Sequence, residues 1–240
     1  MLDILARLSP PMQALAGTLF TWAVTALGAA MVFFFKTIRQ KVLNAMLGFA
    51  SGIMIAASFW SLLNPAIALA ESEGKTAWLV VAIGFLAGGV FLKAVDWVLP
   101  HVHSLDDAPE GLSTHWKRSI LLVLSITLHN IPEGISVSVP IFYATGDRRK
   151  AFTYSVLSGL AEPVGAGIAY LVLLMFVGGN ANVIPTQVMG ILFGGVAGIM
   201  VYISLDELLP TSRAYGKGHD SLFGLVGGMA VMALSLLLMK

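Results

Sequence analysis

The chain has 240 residues, of which 57% are hydrophobic and 11% charged, and its mean hydropathy is +0.85. Soluble domains carry about 25% charged residues, so that class is excluded. A net charge of +1 leaves no basic face to neutralise phosphates, which excludes nucleic acid as a partner. The absence of cysteine excludes disulfides, thiolate metal sites and cysteine nucleophiles. What remains is an all-α integral membrane protein, a polytopic helical bundle forming a single transmembrane domain over 1–240.

A helix that crosses the hydrocarbon of a bilayer needs about 20 mostly apolar residues. Seven segments meet that rule, near 12–35, 42–70, 78–99, 119–144, 151–177, 184–209 and 221–239. The first follows Pro10 and Pro11 and ends in the cationic KTIRQK; it is too long for the apolar stretch of a cleaved signal, and reads as a retained helix. The second carries Met54, a candidate soft pore ligand whose alternative is ordinary packing. The third ends at Asp96, Pro100, His101 and His103, before a loop with Asp106, Asp107 and Glu110. A His-x-His pair and acids at a membrane face could collect or release cations. Lys93 lies three residues before Asp96, spaced to pair along the same helix.

The fourth segment holds the densest chemistry, in LHNIPEG. His129 and Glu133 are four apart and therefore share a helix face, with Asn130 beside them. An ionisable group at mid-bilayer costs about 2.5–3.5 kcal/mol, so it marks a functional site. Pro132 and Pro140 remove backbone donors and leave the carbonyls of Leu128 and Ser136 without their usual partners. Imidazole, amide, carboxylate and free carbonyl together suit Zn2+, and Fe2+ or Mn2+ would accept the same mixture. The alternative is a His–Glu pair that only joins helices. The fifth segment adds Glu162, followed at once by Pro163, a second intramembrane carboxylate at a second kink. One metal ion held by His129, Asn130, Glu133 and Glu162 is the economical account; a salt bridge from Glu162 to Lys93 is the competing one. The sixth segment spaces Gly190, Gly194 and Gly198 for close helix contact and ends at Asp206 and Glu207, further candidates for a cation pathway.

Lys and Arg collect on the cytoplasmic side of membrane proteins. Seven alternating crossings put six of them on one side and seven on the other, which is no bias. One more crossing between Arg118 and Arg148 makes the split ten to three. A repeat points the same way: Gly48, Gly52-Ile53-Met54, Ser58 and Leu62-Leu63 recur as Gly194, Gly198-Ile199-Met200, Ser204 and Leu208-Leu209. Transporters often contain repeats of opposite orientation. Seven crossings would run these two segments the same way, and an eighth would invert them.

These residues resemble the ZIP family of zinc and iron transporters, in particular its bacterial GufA-like branch. The similarity runs from about Val42 to the end, through AMLGFASGIMIAAS, DWVLPHVH, LHNIPEG, LSGLAEPVGA and YISLDELLP. The resemblance implies eight helices with extracellular termini, a metal site on helices four and five completed from helix six, and elevator-like alternating access. By position, His129, Asn130 and Glu133 resemble the fourth-helix ligands and Glu162 the sixth-helix one. Asp206 and Glu207 resemble residues near the cytoplasmic exit. Family members carry two Pro-Glu-Gly motifs on consecutive helices, whereas this chain has one. Its left flank looks like helix four and its right flank, ISVSVPIFYATGDRRKAF, like helix five, so the expectation is a loss of about one helix between two fused motifs.

The expected function is transport of divalent cations, Zn2+ foremost with Fe2+, Mn2+ and Cd2+ as competitors, in a bacterial inner membrane. The expected partners are these cations and lipid, with a homodimer left open. No organic cofactor is expected, and no Walker-type loop is present to couple nucleotide hydrolysis. The competing expectations are an internally deleted member that folds or binds metal without flux, and an intramembrane metal hydrolase. The hydrolase is disfavoured because a single membrane histidine is a poor start toward three ligands and an open position.

Overall fold

The computed structural model describes residues 8–71, 76–98, 134–177, 185–214 and 219–238. Every regular element among them is helical. In chain order these are α1 (Pro10–Ala30) with a 3-10 turn over Met31–Phe34, α2 (Gln40–Ala57), a π turn over Ser58–Leu63, and α3 (Asn64–Glu71). Then come α4 (Ala77–Val98), α5 (Gly134–Thr145), α6 (Arg148–Gly159), α7 (Ala161–Val177) and α8 (Thr186–Ile203). A second π turn over Ser204–Leu208, α9 (Leu209–Ala214) and α10 (Asp220–Leu238) complete the order. Five stretches are long and apolar enough to cross a membrane: Pro11–Phe34, Gln40–Glu71, Trp78–Val98, Arg148–Val172 and Thr186–Ala214. The chain is a multi-pass membrane protein. Phe20, Leu27, Phe34, Trp97, Met175 and Phe223 are all strongly exposed, an arrangement that suits lipid and would be a liability in water. Of the expected fourth segment, residues 119–133 lie outside the described residues.

The helices form two compact units, Met1–Phe35 with Glu133–Ile184, and Lys36–Pro132 with Pro185–Lys240. In the first, α5 and α6 make a hairpin. Its link uses Gly146 at φ +67°, a conformation that suits glycine, and Asp147, whose carboxylate caps α6 by accepting from the Lys150 amide at 3.1 Å. The Ser155 hydroxyl donates to the Gly134 carbonyl at 2.8 Å, closing the far end of the hairpin. Helix α1 packs along both arms. The start of α5, Gly134, lies against Thr25 and Ala29, while Arg148, just past the end of α5, donates to the Phe35 carbonyl at 2.8 Å. Helices α1 and α5 therefore run parallel.

The second unit is built from two glycine-lined pairs. Gly48 and Gly52 of α2 lie on the carbonyls of Ser221 and Leu225, and Gly224 and Gly228 of α10 lie on those of Ala45 and Phe49. Likewise Gly84 and Gly88 of α4 lie on Ile191 and Gly195, while Gly194 and Gly198 of α8 lie on Val81 and Phe85. With no Cβ between them, the backbones approach closely enough for dispersion to hold helices that lipid does not drive together. In both pairs the residue numbers ascend together, so α2 runs parallel to α10 and α4 parallel to α8. Ala66 and Ala70, late in the α2–α3 stretch, form a cluster with Val81, early in α4, so these neighbours are antiparallel.

The sequence repeat is thus a structural one, and it is inverted. Each copy is a glycine-bearing helix that widens into a π turn beginning at a buried serine. Ser58 donates to the Met54 carbonyl and Ser204 to the Met200 carbonyl, both at 2.8 Å. The inversion matches the eight-crossing pattern and not seven alternating crossings. Parallel helices must be separated by an odd number of crossings, yet two expected crossings lie between α4 and α8 and four between α2 and α10. The α1–α5 pair, in the other unit, has the same defect, with two crossings between. One additional crossing between α4 and α5 would reconcile all three pairs.

Candidate metal centre

Glu162 stands where an apolar span breaks. Helix α6 ends at Gly159, Leu160 makes the turn, and α7 starts at Ala161 with Glu162 in its first turn. Pro163 fits there because the first-turn amides have no intrahelical acceptor to lose. The helix dipole favours a carboxylate at this end. The break falls where the Glu162-Pro163 pair predicts a kink, and Glu162 is half-buried.

Its described partner is Thr21 of α1, whose hydroxyl donates to the Glu162 carboxylate. Two contacts fix α1 beside that bond. The Trp22 indole N–H donates to the Val156 carbonyl at 2.9 Å, and Gly159 leaves the space in which Trp22 and Thr25 pack. Thr21 carries no charge and no ligand-type signature, so sequence reasoning passed over it. Its position in TLFTWAVT, polar within an apolar segment, is the only trace.

A second set of acids gathers in the other unit. Asp96, near the end of α4, is buried, and so is Glu207 in the second π turn. The Tyr202 side chain lies beside both Asp96 and Asp206, and its one hydroxyl proton can go to either carboxylate. Two acids far apart in the chain are joined by a tyrosine that sequence reasoning left out, although YISLDELLP contains it. The turn is held from behind by Ser51 of α2, fully buried, whose hydroxyl donates to the Ser204 carbonyl at 3.1 Å. A π turn displaces backbone partners, and such bulges recur at functional sites. Met54 is fully buried in α2, four residues before the first π turn begins at Ser58, and packs as a core residue.

The remaining candidates, His129, Asn130, Glu133, His101 and His103, lie outside the described residues. Among the described residues, no three His, Asp or Glu side chains come together as a metal-holding group. The structure thus brings together Asp96 and Asp206, and joins Glu162 to α1.

A family model described as ZIP Zinc transporter matches residues 104–236. Relatives that carry the name Zinc transporter ZupT include the following three. The one from Lysinibacillus sphaericus is 41% identical over 92% of this chain and 96% of its own length. That from Nitratidesulfovibrio vulgaris is 37% identical, over 92% and 95%. That from Clostridium perfringens is 38% identical, over 92% and 94%. The first match spans 266 positions but uses 92% of 240 residues, about 221, so about 45 positions of it have no counterpart here. That shortfall exceeds the about 20 residues of one crossing.

Proposed function

The chain belongs to the ZIP zinc transporter family, and from that premise we propose that it carries divalent cations, zinc foremost, across a bacterial inner membrane. Glu162 is the carboxylate ligand on the broken span, and His129, Asn130 and Glu133 supply the rest of the site. Asp96, Asp206 and Glu207, with His101 and His103, are secondary cation ligands, whereas Met54 is a packing residue. The observation that carries this reading is a half-buried carboxylate in the first turn of a helix that restarts within an apolar span. Ionisable groups at such depth mark pathways, and discontinuous helices are where transporters build their ion sites. Transport is passive, needing no nucleotide and no organic cofactor, and Fe2+, Mn2+ and Cd2+ compete with Zn2+. Membership of the family implies elevator-like alternating access. Lipid surrounds the chain, which is not an enzyme, and pairing into a homodimer is compatible with its exposed apolar faces.

A second reading has its own observation. The roughly 45-position shortfall supports a lost crossing between the family's two Pro-Glu-Gly motifs, with α5 in the place of the family's fifth helix. The loss removes one motif's polar residues, leaving a site for one cation or a protein that binds metal without moving it. Zinc uptake into proteoliposomes, with Glu162→Gln for comparison, separates these outcomes. Saturable uptake abolished by the substitution means a working single-metal transporter. Absence of uptake from folded protein means that the lost crossing was essential. Bound zinc with a hydrolytic activity and no flux would favour the intramembrane hydrolase instead.

A further inference from the structure

The Thr21 hydroxyl has one proton and two acceptors within reach. One is the Glu162 carboxylate; the other is the Thr18 carbonyl one turn earlier in α1, at 3.0 Å. Serine and threonine hydroxyls commonly bond back to the preceding turn, so the second position is a resting place that costs the helix little. A carboxylate has two oxygens and about four acceptor positions, so Thr21 takes up only one of the two oxygens. The Trp22–Val156 bond and the packing of Trp22 and Thr25 over Gly159 prevent α1 from sliding, so the hydroxyl stays opposite Glu162.

We infer that Thr21 is a positioning residue which holds Glu162 in the cation-free protein and yields it to the cation by turning its proton to Thr18. The inference rests on the reading of Glu162 as a cation ligand, and adds a residue to it. A carrier must pass through an empty state, in which a charged carboxylate in an apolar span needs a donor. The cation must then displace that donor without leaving an unsatisfied hydroxyl, which the Thr18 carbonyl prevents. Thr21 thereby weakens cation binding to a level that permits release.

The test is equilibrium binding of Zn2+ to the purified full-length chain in detergent, comparing wild type with Thr21→Val, Thr21→Ser and Glu162→Gln. Valine matches threonine in shape and removes the donor; serine keeps it. Thr21→Val is expected to tighten zinc binding about tenfold, because hydrogen bonds to charged groups are among the stronger ones. Thr21→Ser should restore the wild-type affinity. A part played only in packing would lower the yield of folded protein and would not tighten binding. Unchanged or weaker binding by Thr21→Val, with binding lost in Glu162→Gln, overturns the role of Thr21 alone. Equal binding by wild type and Glu162→Gln removes the reading of Glu162, and the inference with it.

Discussion

Gly88 and Gly89 are neighbours on α4, and replacing each by alanine is expected to move stability in opposite directions. A Cβ at Gly88 would fall on the Gly195 peptide, with the carbonyl carbon at 2.8 Å and Cα at 2.9 Å. Those atoms are backbone and cannot swing aside, so α4 and α8 must separate, loosening the contacts of Gly84, Gly194 and Gly198 as well. Overpacking of this kind costs about 1–3 kcal/mol. Alanine returns about 0.8–1.0 kcal/mol of helix propensity, so the net loss for Gly88→Ala is up to about 2 kcal/mol. At Gly89 nothing lies within 4 Å of the added methyl, and only the gain remains. For a chain of this length each kcal/mol moves Tm by about 2–4 °C, so the two variants, which differ by the overpacking cost, should be separated by about 2–12 °C. Thermal unfolding in detergent, followed by loss of the monodisperse species, measures this directly. Equal shifts of the same sign would refute the claim that backbone contact between parallel helices holds this unit together.

The parity argument has a labelling test, made clean by the absence of native cysteine. Thr76→Cys and Pro185→Cys precede the parallel helices α4 and α8, and both positions are exposed, so an impermeant maleimide should reach both from one side of the membrane. Arg39→Cys and His219→Cys, ahead of α2 and α10, should label from the opposite side; reaction of Thr76→Cys and Pro185→Cys from different faces would defeat the argument. Ser51→Ala removes a fully buried donor from the Ser204 carbonyl, which keeps its backbone bond from Leu209, and should cost about 0.5–1.5 kcal/mol in the same thermal assay. A variant as stable as the wild type would mean that Ser51 does not hold the π turn.

Composition alone determined that this chain lives in a bilayer. A mean hydropathy of +0.85 leaves helices as the way to satisfy backbone groups away from water. Apolar length then located the spans: α4 and α10 begin and end within about one residue of segments read from hydropathy, while the first and sixth segments run on past α1 and α8 into the 3-10 and π turns. The Glu162-Pro163 pair announced the break in the fifth segment, because proline chemistry is local. The repeat of Gly48, Gly52 and Ser58 at Gly194, Gly198 and Ser204 was legible too, as was the charge imbalance that favoured an eighth crossing.

Direction and partnership were not legible. A helix reads the same whichever way its neighbour runs, so the parallel pairing of α2 with α10 and α4 with α8 came only from which glycine meets which carbonyl. The same holds for the polar contacts. Thr21 and Glu162, or Asp96 and Asp206 through Tyr202, are separated by more than a hundred residues, and no local propensity links them. Sequence dictates what each segment must bury; the choice between equally apolar faces is made by packing, which depends on every neighbour at once.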